Sequence, residues 1–109
     1  MIPVSYGSCG EQCKFIYNHN IKELKIEGNG LMNDYEWTSP LRDYTANINH
    51  VEIYEGITHI GGRIFYNSIF LISVSIPSSV TSIGENPFSL CTSLESIDVS
   101  NNENFIFED

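Results

Sequence analysis

Polar side chains with different chemistry recur at a fixed spacing in this 109-residue chain. Glu52, Ser75 and Asp98 follow one another at intervals of 23 residues, Lys25 precedes them, and Tyr54 stands beside Glu52. If each lies on one strand of a sheet, the two carboxylates are about 10 Å apart at ~4.8 Å per strand, which a glycosidase pair could use. A row of mixed polar groups on open strands is more typical of a binding surface. We therefore take these five residues as a candidate partner-binding face.

Other chemistry has little support in the sequence. No serine lies in a nucleophile elbow, and no glycine-rich phosphate loop follows a strand-like segment. The histidines, His19, His50 and His59, do not fall at metal-ligand spacings with the cysteines. The late acidic residues lack a calcium-loop pattern. The sequence predicts no enzyme activity, no cofactor and no metal site.

Three cysteines leave an odd count. Cys9 and Cys13 can form a disulfide only if a tight turn brings their Cα atoms within ~7 Å, and Gly10 permits such a turn. Paired and free forms of these two residues both stay open at this point. Cys91 is interpreted as a small buried apolar residue.

The charge balance limits the classes of partner. The net charge is −9, from 5 basic and 14 acidic residues. Such a surface is repelled by phosphate backbones and anionic membranes, so no nucleic acid is expected. No apolar run is long enough for membrane insertion. The first six residues have neither a basic region nor a long apolar stretch, so no signal peptide is predicted.

Apolar residues repeat with the same 23-residue period. The pattern apolar-x-apolar occurs at 51–53, 74–76 and 97–99, and Phe65 is followed by Phe88. One such unit cannot bury its apolar face alone, so a fixed period predicts units stacked into a solenoid. Shorter second strands are predicted at 58–60 and 81–83. Phe65 and Phe88 are each placed in one helical or 3₁₀ turn, with Phe88 fully buried.

The region before the repeats is predicted to form a cap. Residues 13–28 alternate around Asn18-His19-Asn20, which predicts a β-hairpin. The second arm, Ile21-x-x-Leu24-x-Ile26, matches the later units, so we expect four parallel strands, the first from the hairpin. Ser39-Pro40 predicts a short helix over 40–46. Trp37 is expected to cover the edge of the first repeat.

One family accounts for these motifs. Ile76-Pro77-Ser78-Ser79-Val80-Thr81-Ser82-Ile83-Gly84, followed by Phe88-x-x-Cys91-x-x-Leu94, closely resembles the unit of the BspA-like leucine-rich repeat family. Residues 7–11 and 24–35 are similar to its amino-terminal cap. The resemblance implies a mostly β, leucine-rich-repeat solenoid of parallel stacked strands with an N-terminal β-hairpin cap. It also implies non-enzymatic recognition of macromolecules on the surface of host-associated cells.

The predicted organisation is one continuous domain. Residues 1–47 form the cap, and residues 48–109 form two repeats and a truncated third. The first repeat departs from the family pattern at Ile69-Phe70-Leu71-Ile72, which either enlarges the core or forms an exposed contact patch. Phe105 and Phe107 are expected to fold back over the last strand.

Two alternatives to a secreted or cell-surface adhesion module stay open. The chain could be an intracellular protein-interaction scaffold, for which the missing signal peptide argues. It could also be a fragment of a longer array, in which case self-association through the open C-terminal end is expected. In each case the partner is a protein or matrix component.

Overall fold

The 23-residue period folds as stacked β-strands. The structure, a computed structural model, describes residues 4–36, 39–99 and 102, and this part of the chain contains strands and turns but no helix. The strands are β1 (Val4–Gly10), β2 (Cys13–Asn18), β3 (Glu23–Gly28), β4 (Gly30–Leu31), β5 (His50–Ile53), β6 (Ile57–Ile60), β7 (Ser73–Ser75), β8 (Ser82–Ile83) and β9 (Ser96–Asp98).

The longer sheet has the order β1-β2-β3-β5-β7-β9. The first three strands pair antiparallel, and β3, β5, β7 and β9 pair in parallel. Leu24 pairs with Val51, Val51 with Val74, and Val74 with Ile97. The predicted solenoid of four parallel strands led by a capping hairpin is therefore confirmed.

A second, shorter sheet has the order β4-β6-β8, also parallel. Strands β6 and β8 agree with the second strands predicted in each repeat. β4, which comes from the cap, was not predicted. It joins because Met32 N–H donates to His59 O at 3.1 Å, which carries the pairing beyond the two short strands.

The core lies between the two sheets. Leu24, Ile26, Val51, Ile57 and Ile60 are fully buried. Their counterparts in the last unit, which follow the same alternation, are only partly buried. Burial thus decreases along the chain from cap to third unit.

Phe65 and Phe88 occupy turns of the 3₁₀ type. Tyr66 N–H donates to Arg63 O and Cys91 N–H donates to Phe88 O, both bonds spanning three residues. The two rings stack with centroids 5.5 Å apart and an interplanar angle of 7°. Phe65 is fully buried, but Phe88 is only partly buried, so the prediction of a fully buried Phe88 is wrong. Phe88 instead packs against the edge of the core, with one face of its ring on Phe65.

The helix predicted for residues 40–46 does not form as a helix. The segment is a run of turns in which bonds over three residues, such as Tyr44 N–H to Leu41 O, mix with bonds over four, such as Thr45 N–H to Leu41 O. The Thr45 hydroxyl donates to Arg42 O, the kind of local bond that competes with a regular helix. Ser39 Oγ does accept from Leu41 N–H at 3.1 Å, as an N-cap would. Trp37 lies outside the described residues, as do Phe105 and Phe107.

Several apolar residues that the pattern assigned to the core are exposed. Ile21 lies in the turn between β2 and β3 and is 60% exposed, because β3 begins two residues later than predicted. Ile69, Phe70 and Ile72 are 40%, 53% and 43% exposed. Enlargement of the core is therefore the wrong interpretation of that apolar run.

A disulfide closes the amino-terminal turn. Cys9 and Cys13 are bonded, with their Cα atoms 5.1 Å apart. The bond fixes the end of β1 against the start of β2, and Asn33 N–H donates to Cys9 O at 2.7 Å. Burial raises the pKa of the partly buried Cys91 thiol to about 11, so this cysteine is a weak nucleophile at neutral pH.

One turn position of the repeat has a left-handed backbone conformation. It holds asparagine in the first repeat and leucine in the second. Asn67 has φ +65° and Leu90 has φ +61°. Asparagine adopts this left-handed conformation readily, whereas a branched apolar residue is strained there. Leu90 is also 52% exposed, so its side chain gives up little burial if it is replaced.

We expect Leu90→Asn to raise the free energy of unfolding by about 1 kcal/mol, because strain is relieved. Urea unfolding followed by circular dichroism measures the change. Leu31→Asn is the matched control, since Leu31 is 54% exposed but lies in β4. A loss of stability in Leu90→Asn would contradict the strained conformation.

Candidate functional site

Four of the five candidate residues lie in one row across the long sheet. Lys25 pairs with Glu52, Glu52 with Ser75, and Ser75 with Asp98, each on the next parallel strand. Neighbouring strands are about 4.8 Å apart, so the row presents a polar side chain at each strand spacing. These residues alternate with buried ones along each strand, which turns them away from the core.

The row borders a shallow groove of about 240 Å³. Glu52, Tyr54, Ser75 and Asp98 line it, so the structure brings together four residues that the sequence selected. The other lining residues are Ile53, Glu55, Ile76 and Pro77. Lys25 stands on the neighbouring strand, outside the lining.

Tyr54 links Lys25 to the groove. A hydrogen bond with the Tyr54 side chain, helped by the carboxylates of Glu23 and Glu52, raises the pKa of Lys25. The Lys25 ammonium lies 4.0 Å from Glu23 Oε1. Lys25 thus pairs with Glu23 on its own strand, and Glu52 Oε1 on the next strand lies 3.9 Å from His50 Nε2.

Glu55 is a groove residue that sequence reasoning missed. Its Oε1 accepts the Ser78 hydroxyl at 2.6 Å and the Ser78 N–H at 3.0 Å. These bonds lower the pKa of the Glu55 carboxyl. The sequence did contain a signal for this contact. Glu55 and Ser78 are 23 residues apart, the same period that relates residues on neighbouring strands.

The second sheet carries a chain of hydrogen bonds that was also missed. His59 Nδ1 lies 2.6 Å from Ser82 Oγ, and His59 Nε2 lies 2.9 Å from Asp34 Oδ1. Gly62 N–H donates to the same Asp34 oxygen at 2.8 Å. These hydrogen bonds connect the cap with the first and the second repeat. The histidine bond and the Gly62 N–H lower the pKa of Asp34.

The lowered pKa gives a pH-dependent contribution to stability. A carboxyl whose pKa is depressed by folding stabilises the protein above its unfolded pKa of ~3.9, and this contribution is lost as the pH falls through the folded value. We expect Asp34→Asn to lower the urea midpoint at pH 7 and to differ less from the parent protein at pH 3. The asparagine side chain can still accept from Gly62 N–H, so the change in this stability difference between pH 7 and pH 3 reports the charge of Asp34. An equal difference at both pH values would contradict this assignment.

Comparison with known proteins identifies the repeat. The model of the "BspA type Leucine rich repeat region (6 copies)" matches residues 43–109, more than half of the chain. The chain belongs to the BspA-type leucine-rich repeat family. No curated protein matches the sequence.

A solved structure supports the same fold. The crystal structure of a leucine-rich repeat protein from Eubacterium ventriosum ATCC 27560, at 2.50 Å resolution, superposes on this BspA-type chain with a TM-score of 0.82 at 28% sequence identity. The match covers 88% of this chain and 26% of the other. The chain therefore spans about a quarter of that relative's length. Leucine-rich repeats are a protein-interaction fold, which agrees with the predicted class of function.

The geometry of this BspA-type repeat disfavours a glycosidase pair at Glu52 and Asp98. Glycosidases need one carboxyl kept protonated by a buried, apolar setting. Both carboxylates border an open groove, and Asp98 is exposed.

Residues 4–36, 39–99 and 102 contain no group of three or more His, Cys, Asp or Glu side chains placed to hold a metal ion. Within the same residues, no helix has the length and apolar character needed to cross a bilayer.

Proposed function

We propose that this chain is a non-catalytic recognition module that binds another protein through the exposed face of the long sheet. The observation that carries the proposal is the row of Lys25, Glu52, Ser75 and Asp98 beside a groove. Such a face is rigid, because each strand is fixed by backbone bonds to its neighbours. Binding on a rigid face costs little ordering of the receptor.

The chemistry of the groove suits a protein partner. Tyr54 gives a large side chain with few rotatable bonds, and tyrosine is enriched at the energetic centres of interfaces. Pro77 and Ile76 give apolar lining beside it. The carboxylates and the Ser75 hydroxyl surround this centre with polar groups, as in the polar rim of known interfaces.

The disulfide supports a place outside the cytosol. Disulfides persist in oxidising compartments and are rare where thiols are kept reduced. Cys9–Cys13 therefore favours a secreted or cell-surface adhesion module over the intracellular scaffold. Intact-mass measurement before and after alkylation of the unreduced, denatured protein tests the pairing, with one thiol expected to react.

Binding to a panel of purified extracellular matrix proteins, measured by biolayer interferometry, tests the proposal. Ser75→Arg places a long cation in the middle of the face and should abolish binding to any matrix protein that the parent chain recognises. Thr81→Arg is the control, because Thr81 is exposed beside the second sheet. Equal binding by the two variants, or no binding by the parent chain to any panel member, would overturn the proposal.

A further inference from the structure

We propose that the partner contributes an extended cationic segment with lysine or arginine at every third position. This inference rests on the proposed recognition function and names the chemistry of the ligand at the same face. It is carried by the charge of the groove and by the spacing of its carboxylates.

The groove is lined by acidic residues. Glu52, Glu55 and Asp98 contribute carboxylates, and none of the lining residues is basic. Glu55 is held in place by the Ser78 hydroxyl and N–H, so one of the three charges has a fixed position. A cationic partner therefore meets a complementary potential, which also speeds its association.

The face already holds one amine in the manner expected for a ligand. Lys25 lies beside Tyr54, Glu23 and Glu52, and these groups raise its pKa. Of these three groups, the Tyr54 phenol and the Glu52 carboxylate also line the groove. A partner's lysine or arginine placed one strand further on meets the same kind of groups.

The spacing of the carboxylates selects the conformation of the ligand. Glu52 and Asp98 are two strands apart in the same row, about 10 Å at ~4.8 Å per strand. A polyproline II segment rises ~3.1 Å per residue with three residues per turn, so residues i and i+3 point the same way about 9 Å apart. Basic residues at i and i+3 of such a segment, running across the strands, reach both carboxylates.

Ser75 lies between the two carboxylates, and Pro77 follows it along the chain. These two residues leave room for the peptide residues between the two basic side chains. Both line the groove with small or flat side chains. Tyr54 stands at one side, where it can pack against proline or against the face of an arginine guanidinium. The occupant is thus a peptide segment, rather than a compact folded surface.

Fluorescence anisotropy with two labelled peptides tests the inference. The first repeats Lys-Pro-Ala four times, which puts a lysine at every third position. The second has the same composition but places its four lysines together. We expect the first peptide to bind at least fivefold tighter, with an affinity that falls as sodium chloride rises from 50 to 300 mM.

Paired protein variants locate the site. The double variant Glu52→Gln/Asp98→Asn should weaken binding of the first peptide about tenfold. Glu36→Gln/Glu85→Gln removes the same number of charges from a depression that shares no lining residue with the groove, and it should change the affinity less than twofold. Thermal unfolding of both variants checks that the fold is kept.

Four outcomes would overturn the inference. Equal weakening by both double variants would mean that overall negative charge attracts the peptide. Equal affinity for the two peptides would remove the role of spacing. A third outcome is that neither peptide binds, while Ser75→Arg still abolishes binding to a matrix protein. This outcome would overturn the cationic ligand and leave the recognition function intact. Loss of both kinds of binding would overturn both proposals.

Discussion

Replacement of Phe65 by alanine is expected to lower the free energy of unfolding by about 3–5 kcal/mol, as for other large-to-small changes in protein cores. Phe65 is fully buried and stacks on Phe88 in the next unit. The change leaves a cavity between two repeats, where backbone bonds such as Phe65 N–H to Pro87 O hold the units in place. Collapse of the cavity is therefore restricted.

Phe88→Ala is the matched control for Phe65→Ala. It removes the same atoms from the other ring of the stack, but Phe88 is only partly buried. We expect a loss of about half as much, measured by urea denaturation of both variants. If Phe88→Ala proved as costly as Phe65→Ala, Phe88 would have to be more fully buried than the structure shows.

Gly56→Ala is expected to be the second most damaging change, with a loss of about 3 kcal/mol or more. Gly56 has φ +113°, which residues with a side chain rarely adopt, and a Cβ at this position would clash with Gly28 O. Strain at such a position costs about 1–3 kcal/mol, and overpacking adds a similar amount. The clash is with backbone, so no side-chain rotation relieves it.

A control variant tests whether the Gly56→Ala result depends on the contact between Gly56 in the first repeat and Gly28 in the cap. Gly30→Ala serves as the control, because its Cβ would meet Gln12 Cβ at 3.2 Å, a close contact, but no backbone atom. Thermal unfolding of the two variants should show a large decrease for Gly56→Ala and a small change for Gly30→Ala. Similar melting temperatures for both would mean that the chain between β5 and β6 can rearrange around an added side chain.

The sequence predicts this fold well wherever the repeat period acts. Val51, Val74 and Ile97 are aligned by spacing alone, and the structure pairs them in that order. The same spacing placed Glu52, Ser75 and Asp98 in one row. The 23-residue period and the alternation of apolar and polar residues can be recognised in the sequence alone. They therefore predict the strands without knowledge of which residues pack together.

Features that depend on contacts outside the period could not be predicted. β1 consists largely of glycine, serine and cysteine, and it becomes a strand because β2 and the disulfide hold it. Ile21 follows the apolar pattern but is excluded by a turn whose Lys22 has φ +57°. The contact of Asp34 with His59 spans cap and repeat, where no common period exists.

The candidate site shows the same division. Glu52, Tyr54, Ser75 and Asp98 were found because they lie on strands or directly after one. Glu55 was missed because its role depends on the Ser78 hydroxyl across a turn. Their use in binding stays a prediction.

The decrease of burial from cap to third unit has a consequence for synthesis on the ribosome. In the parallel part of the long sheet, paired residues lie only 23 or 27 positions apart, as in the pairs Val74–Ile97 and Leu24–Val51. Each unit can therefore dock as soon as it leaves the exit tunnel, on a template that is already better protected than itself. Such a chain grows by accretion from its amino-terminal end, and under mechanical pull from the carboxyl end it should peel away one unit at a time.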